Sequence, residues 1–171
     1  MIHNHDPFAT PESARSQVRR FRGRFAQTVT LWTAPGPAGS SGLTVSSCLV
    51  VDGEPGRMLG LVDDESELWS AVSAAGGFAV SLLSPEDRQL ADRFAGLMPA
   101  PGGLFRQGDT WIETGFGPVL DGRSWAGCRL ESAHTLGWSL LVEATIEETH
   151  LMDRSAPLLH HRGSYGRVDD R

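Results

Sequence analysis

The spacing of apolar residues changes from a helical to an extended period close to residue 28. Before that point Val18, Phe21 and Phe25 recur three and four positions apart, which predicts a helix with arginines on its opposite face. The sequence Thr-Pro-Glu starting at Thr10 is typical of a helix N-terminus. We therefore expect this helix to run from Thr10 to about Phe25.

After residue 28 the pattern is that of consecutive β-strands. The β-branched run 28–33 predicts a first strand, the segment 34–41 a turn rich in proline and glycine, and the stretch 42–47 a second strand that forms a hairpin with the first. Residues 58–62 predict a third strand and residues 78–83 a buried fourth. Three later strands are predicted at about residues 126–136, 138–147 and 158–161.

Two helices interrupt this series of strands. Ser66 precedes the segment 67–75, which ends at two glycines, and Ser84 followed by Pro85 starts a second helix with its core face at Leu90 and Phe94. Strands nevertheless outnumber helices and follow one another along the chain. The pattern predicts a mainly β fold, an antiparallel barrel that is closed or nearly closed, with a few flanking helices.

Length and charge limit the domain organisation and the partners. The chain has 171 residues, so we expect one domain over residues 10–166 between an N-terminal tail (1–9) and a C-terminal tail (167–171). The net charge is −6, which makes nucleic acid and anionic membranes poor partners. All 15 basic residues are arginine, and the lack of lysine excludes Schiff-base chemistry.

Several common site chemistries are not indicated. Cys48 and Cys128 are far apart within strand-like runs and are expected to be reduced thiols. His160 and His161 would point to opposite faces of a strand, so they cannot chelate one metal, and no metal site is predicted. Nucleotide-binding glycine motifs and the Gly-x-Ser-x-Gly motif of hydrolases are missing, as are a signal peptide and an apolar run of about 20 residues. A cytoplasmic protein is expected.

The stretch Gly-Leu-Thr-Val-Ser-Ser at residues 42–47 is the main candidate for a binding site. On an extended chain Thr44 and Ser46 share one face, and Val45 and Ser47 share the other. Hydroxyl groups on one face could hold a ligand. The alternative is an edge strand whose hydroxyls meet water or bond to the nearby backbone.

The order of several motifs along the chain resembles that of a known family. The segments concerned are Gly23-Arg24-Phe25-Ala26, the hydroxyl-rich stretch from Gly42 to Ser47, Ser66, Leu90-Ala91 with Arg93-Phe94-Ala95, Ala133-His134-Thr135-Leu136, and Pro157-Leu158-Leu159 with Gly163 and Tyr165. Together they resemble the flavin reductase family of flavin mononucleotide (FMN)-binding split barrels. The resemblance extends from about Arg20 to Tyr165.

The resemblance implies a Greek-key-like antiparallel split β-barrel that forms a homodimer, with FMN or FAD at the subunit interface. It implies hydride transfer from NAD(P)H to the flavin, and a possible partner monooxygenase that receives reduced flavin. By the same resemblance the isoalloxazine ring would contact Thr44, Val45, Ser46, Ser47 and Cys48. Ser66 with Arg88 or Arg93 would lie near the phosphate, and His134 would be a catalytic donor beside the stacked rings.

Two local features keep an alternative open. Asp63, Asp64 and Glu65 precede Ser66, and three carboxylates would repel a phosphate unless they point to solvent. Ala133 stands before His134, where the family has an aspartate. A barrel that holds flavin, a deazaflavin or haem without reductase turnover is therefore the alternative function, and a structural hydrogen bond is the alternative role of His134.

Overall fold

The structure is a computed structural model that describes residues 16–153 and 156–168. Its helices in these ranges are α1 (Gln17–Arg22), α2 (Glu67–Ala75) and α3 (Arg88–Phe94). Its strands are β1 (Gln27–Thr28), β2 (Thr30–Ala34), β3 (Ser41–Val45), β4 (Cys48–Val51), β5 (Arg57–Val62), β6 (Gly77–Leu82), β7 (Trp111–Ile112), β8 (Val119–Leu120), β9 (Trp125–Leu136), β10 (Ser139–His150), β11 (Leu158–His161) and β12 (Ser164–Arg167). The predicted mainly β architecture is confirmed.

Seven strands form one antiparallel sheet in the order β3-β2-β6-β9-β10-β5-β4. In a flat sheet its two edge strands would lie about 29 Å apart, at about 4.8 Å per strand. Only Ser46 and Ser47 connect the end of β3 to the start of β4, and three residue steps span at most about 11 Å. The sheet therefore curls into a barrel whose edges meet at these two serines.

The barrel core is built on β2, whose five residues are all buried. The Trp32 ring stacks on Phe78 of β6 at 4.4 Å between centroids. Gly60 of β5 allows this arrangement, because a Cβ atom at that position would lie 2.4 Å from the Trp32 ring. A second apolar cluster, which includes Leu90 and Phe94 of α3, packs on the other side of β2. Apolar clusters thus cover β2 on both of its faces.

Both predicted interior helices form, and α2 has the predicted bounds. Ser66 is its N-cap, with a side chain that accepts a hydrogen bond from the Trp69 N–H, and Gly76 ends it in a left-handed conformation. Residues Pro85–Asp87 form a 3₁₀ turn that leads into α3. Ser84 and Asp87 close this turn through a capping box.

The N-terminal helix differs from the prediction. The predicted start at Thr10 lies outside the described residues, and Ser16 is the N-cap of α1 within them. The prediction that the helix continues to Phe25 is wrong, because it ends at Arg22 and Gly23 caps it. Its apolar stripe also does not pack on the barrel, since the side chains of Val18, Phe21 and Phe25 are 78%, 63% and 55% exposed.

Two predicted strands are divided in the structure. The run 28–33 breaks at Val29, so that β1 pairs with β11 while β2 enters the large sheet. The stretch 42–47 breaks after Val45, where the chain leaves β3 and crosses to the opposite edge of the sheet. A period-two pattern does not reveal such breaks, because extended residues on either side of a bend have the same sequence preferences.

The C-terminal strands agree well with the prediction. β9 and β10 form a long hairpin, turning at Gly137 with a φ of 61°, and β11 has the predicted bounds. β10 continues three residues beyond the predicted end at residue 147. The short strands β7, β8 and β12 were not predicted. β12 ends at Arg167, one residue into the segment interpreted as a C-terminal tail, and residues 1–15 and 169–171 lie outside the described ranges.

Candidate functional site

The two edges of the barrel meet at Ser46 and Ser47, a segment we call the bend. The Leu61 N–H donates to the Ser47 carbonyl at 2.9 Å, and the Ser47 hydroxyl donates to the Leu61 carbonyl at 3.2 Å. On the other side the Thr30 hydroxyl donates to the Val45 carbonyl at 2.6 Å. These bonds hold the bend against β5 and the end of β3 against β2. The barrel opens between β3 and β4, the two strands that the bend joins.

Thr44 and Val45, two of the five predicted ring contacts, serve the fold in this structure. The Thr44 hydroxyl donates to the Ala91 carbonyl of α3 at 2.7 Å, which ties β3 to that helix. Val45 is 3% exposed and belongs to the barrel core. The prediction that Thr44 and Ser46 present hydroxyls together therefore does not fit the break in the strand between them.

Ser46, Ser47 and Cys48 are partly exposed and lie where a ligand can reach them. The Ser46 hydroxyl has no hydrogen-bond partner among the described residues, whereas the Ser47 hydroxyl is used by Leu61. The Cys48 thiol lies 3.7 Å from the Thr30 hydroxyl. Ser46 thus offers the one uncommitted side-chain hydroxyl of this described segment.

Burial keeps the two cysteine thiols protonated. Desolvation raises the pKa of Cys48, and it raises the pKa of Cys128 in the core to about 12. A neutral thiol is a poor nucleophile and a poor metal ligand. Cys48 can therefore contact an aromatic ligand as a small apolar group, but the structure gives it no thiolate chemistry.

Ser66 lies close to the bend along the chain but is already committed. The Leu61 contact of the bend is five residues before Ser66, whose hydroxyl donates to the Asp63 carbonyl at 2.6 Å and accepts from Trp69 at 3.1 Å. The Asp63 carboxylate accepts from the Glu65 N–H at 2.9 Å. Hydrogen bonds therefore hold the turn before α2 in place. Its carboxylates form no salt bridge with the described residues.

The two arginines predicted near a phosphate both belong to α3. Arg93 is 9% exposed, forms a salt bridge with Asp109, and lies over the Phe94 ring at 5.7 Å. Its Nε atom is buried without a partner among the described residues. Arg88 is exposed and lines a shallow cleft with Pro85, Glu86, Gly166 and Arg167. No hydrogen bond or ion pair among the described residues joins Ser66 to Arg88 or Arg93.

His134 shares a face of the sheet with the bend but does not touch it. The strand registers place Leu61 opposite Leu141 and Leu141 opposite His134, so that these residues form one row across β5, β10 and β9. Three strand spacings from Ser47 to His134 amount to about 14 Å. His134 is exposed near the tip of the β9–β10 hairpin, where Trp138 is fully exposed.

Sequence reasoning missed Thr30 as the residue that holds the bend. Its buried hydroxyl donates to the Val45 carbonyl, accepts from the Trp32 indole N–H at 3.1 Å, and faces the Cys48 thiol. In the sequence Thr30 is one of four threonines between residues 28 and 44, and nothing in the pattern distinguishes it. Only the curl of the sheet places this hydroxyl between the two edges.

The described ranges show neither a cluster of metal-binding side chains nor a helix suited to cross a membrane. Among residues 16–153 and 156–168, no three His, Cys, Asp or Glu side chains converge in a way that could hold a metal ion. None of the helices in that part of the chain is both long enough and apolar enough to cross a lipid bilayer.

Comparison with known proteins gives consistent matches along nearly the whole chain. The sequence model of a family described as flavin reductase like domain matches residues 22–169. An NADH-dependent FMN reductase of Streptomyces nodosus subsp. asukaensis is 28% identical over 97% of this chain and 91% of its own length. An FMN reductase (NADH) of Methylorubrum extorquens (strain PA1) is 31% identical over 91% and 88%.

A solved structure has the same arrangement of strands. Nitrilotriacetate monooxygenase component B from Mycobacterium thermoresistibile superposes with a TM-score of 0.80 at 25% identity, covering 89% of this chain and 85% of that one. A likeness of this extent shows that the two chains share the fold.

Proposed function

The chain belongs to the flavin reductase like domain family, and from that premise we propose that it is an NAD(P)H-dependent flavin reductase that binds FMN or FAD at the bend. One observation carries the proposal: the family match at residues 22–169 includes every strand from β1 to β12. Two relatives, 28% and 31% identical over 91% and 88% of their own lengths, are named as an NADH-dependent FMN reductase and an FMN reductase (NADH). NADH is accordingly the co-substrate we expect.

The residues at the bend fit a flavin ring. The uncommitted Ser46 hydroxyl and the peptide groups of the bend can hydrogen-bond the polar edge of the ring, and the neutral Cys48 thiol can contact its apolar face. When bound, a flavin supplies the redox chemistry by accepting a hydride at N5 from the nicotinamide C4 atom. The chain needs no nucleophile or metal ion of its own for this reaction.

The contribution of the protein is to bind and orient. Thr30 fixes the start of the opening through the Val45 carbonyl, and Leu61 fixes Ser47 through two hydrogen bonds. A bend held from both sides presents its free groups in one geometry, which lowers the entropic cost of positioning the ring. Because His134 lies about 14 Å from Ser47, the proposal gives it no contact with a ligand at Ser47 in the same chain.

Reduced flavin made in this way would be passed to a second enzyme. The similar protein from Mycobacterium thermoresistibile is named as component B of a monooxygenase, which supports a partner oxygenase. The bend is open on one side, and we propose that a second copy of the chain closes it, with one flavin at each subunit interface.

Flavin titration and NADH oxidation test the proposed function together. Wild-type protein should bind FMN at micromolar concentration and oxidise NADH only when flavin is added. Ser46→Tyr should raise the Kd for flavin at least tenfold, because a phenol would fill the opening. Ser70→Tyr, on the exposed face of α2, is the matched control and should bind flavin like the wild type.

Either of two results would reject the proposal. Lack of binding of both FMN and FAD by folded wild-type protein would exclude a flavin site altogether. Tight flavin binding without NADH or NADPH oxidation would leave the alternative, a flavin-holding barrel without turnover.

A further inference from the structure

A shallow cleft lies between the turn that leads into α3 and strand β12. Its lining residues are Pro85, Glu86, Arg88, Gly166 and Arg167, and its volume is about 670 Å³. Pockets that hold small organic ligands have volumes of roughly 300–1,000 Å³. The cleft is therefore large enough for a ligand the size of a nucleotide.

The charges in this cleft favour an anion. The lining residues include two arginines and one glutamate, which gives them a formal charge of +2 − 1 = +1. Arg88 is exposed and forms no hydrogen bond or salt bridge with another described residue. The neighbouring carboxylate of Asp87 is already neutralised, because Arg123 donates two hydrogen bonds to it at 2.6 and 2.8 Å. Guanidinium groups bind phosphate oxygens well, since their donors match the spacing of those oxygens.

Glu86 opposes the two arginines and sets a limit on this attraction. The Ser84 hydroxyl donates to the Glu86 carboxylate, and this bond holds the pKa of Glu86 below its usual 4.5. The carboxylate is therefore ionised at neutral pH, and it repels a phosphate in the cleft. Removal of this charge should strengthen the binding of an anion.

Paired strands connect the cleft to the bend. Val45, beside the bend, pairs with Thr30, and Thr30 pairs with Leu82 on its other side. Two strand spacings from Val45 to Leu82 amount to about 10 Å. Leu82 is 41% exposed, and Pro85 of the cleft follows it by three residues. A ligand with one end at the bend can therefore extend past Leu82 and place its other end in the cleft.

Both walls of the cleft are also hydrogen-bonded to the strands near the bend. On one side, the Ala91 carbonyl of α3 accepts from the Thr44 hydroxyl at 2.7 Å, and Arg88 lies about one turn earlier in that helix. On the other side, β12 pairs with β11, whose Leu158 carbonyl accepts from the Val29 N–H at 2.8 Å. The position of the cleft relative to the bend is therefore set by the fold.

We propose that this cleft binds the adenosine diphosphate half of a dinucleotide whose ring half lies at the bend, with Arg88 and Arg167 on the phosphate groups. The inference rests on the proposed function, because FAD and NADH are both dinucleotides that contain this half. FMN and reduced nicotinamide mononucleotide lack the adenylate. The cleft would then give the protein a preference for dinucleotides over the corresponding mononucleotides.

Calorimetric titration with ADP, without flavin or nicotinamide, tests the cleft by itself. Wild-type protein should bind ADP more tightly than adenosine, because only ADP carries phosphates. Arg88→Ala should weaken ADP binding about fivefold, and the double variant with Arg167→Ala should weaken it further. Arg106→Ala removes an exposed arginine that does not line the cleft, so it is the matched control and should bind ADP like the wild type.

A gain of affinity separates this role from an effect on folding. Glu86→Gln keeps an oxygen that can accept from Ser84 and removes only the charge, so it should tighten ADP binding at least about twofold and leave adenosine binding unchanged. A misfolded variant could not produce this result. Wild-type protein that binds ADP no better than adenosine, or a Glu86→Gln variant that does not tighten ADP binding, would overturn the proposal.

Two comparisons then identify the dinucleotide. If the cleft holds FAD, Arg88→Ala should raise the Kd for FAD about fivefold more than the Kd for FMN. If it holds NADH, the same variant should raise the KM for NADH about fivefold more than that for reduced nicotinamide mononucleotide. Equal effects within both pairs would overturn the proposal, because Arg88 would then not act on the adenylate half. Wild-type protein that binds ADP as expected but reduces no flavin would refute the proposed function alone, since the ADP titration requires no turnover.

Discussion

The two edges of the barrel sheet contrast strongly, although only two residues separate them in sequence. β3 is partly or fully buried at every position, beneath α2 and α3. Gly42 is in close contact with the Phe94 and Phe105 rings, and Thr44 bonds to α3. β4, in contrast, exposes three apolar side chains, and none of the described helices packs closely on it.

On the proposed function, this one stretch of sequence serves the fold in its first half and recognition in its second. The hydroxyl before the bend, at Thr44, is consumed by a helix carbonyl, whereas Ser46 within the bend stays available. The covered edge anchors the barrel, and we propose that the bare edge receives a ligand and a second chain. Pairs of substitutions, one on each edge, test this contrast.

The largest difference is expected between Phe94→Ala and Val50→Ala. Phe94 is 2% exposed in the cluster that covers β3, and its truncation should lower the free energy of unfolding by about 3–5 kcal/mol, from lost burial and the cavity that remains. Val50 on β4 is 62% exposed, so its truncation should cost less than about 0.5 kcal/mol in the separated subunit. Urea unfolding at low protein concentration measures both values. Equal losses would contradict the contrast between the edges.

Glycine substitutions should give a smaller difference of the same sign. A Cβ atom on Gly42 would lie 2.7 Å from the Phe94 ring, so Gly42→Ala should destabilise the protein by about 1–3 kcal/mol through overpacking. A Cβ atom on Gly56, in the turn after β4, would meet its nearest neighbour at 3.7 Å. Gly56→Ala is the matched control and should stay within about 0.5 kcal/mol of wild type. The midpoint of thermal unfolding is a sufficient measurement, and a neutral Gly42→Ala would mean that α3 is not held against β3.

Hydroxyl removal should separate stability from binding. Thr44→Val removes the side-chain donor to the Ala91 carbonyl, which keeps its bond from the Ala95 N–H, and should cost about 1 kcal/mol of stability with little change in flavin Kd. Ser46→Ala should leave stability unchanged and weaken flavin binding by about threefold to tenfold, the effect of one hydrogen bond. Flavin titration beside urea unfolding checks both expectations. A flavin Kd that rises with Thr44→Val instead would return the site to β3.

The sequence predicted the strands better than it predicted their connection. Alternation and glycine caps were sufficient to place α2, β9 and β11, because those signals are local. The crossing from β3 to β4 and the role of Thr30 depend on the curl of the whole sheet, which no local pattern encodes. The hydroxyl-rich stretch stands out in the sequence. Which of its hydroxyls has no hydrogen-bond partner among the described residues depends on the position of α3. That position is set by long-range packing of Phe94, Phe105 and Gly42.

The buried His160 extends the comparison to pH. Here we expect the smallest change in the free energy of unfolding. His160 packs on the covered side of the barrel, edge to face with Tyr165, and it is 8% exposed with Nε2 unpaired among the described residues. Burial lowers its pKa below the usual 6.5, with His161 and Arg22 adding to the effect and a bond to the Gly163 backbone opposing it.

The unfolded chain therefore binds a proton at His160 more readily than the folded chain does. The stability contributed by neutral His160 is complete above about pH 6.5 and is lost as the pH falls from there towards its folded pKa. His160→Phe should flatten this part of the curve of unfolding free energy against pH, because phenylalanine has no proton to gain. Val50→Ala, on the bare edge, changes no titratable group, so it is the control and should keep the wild-type slope. If both variants kept that slope, His160 would not be the buried group that makes the covered side sensitive to acid.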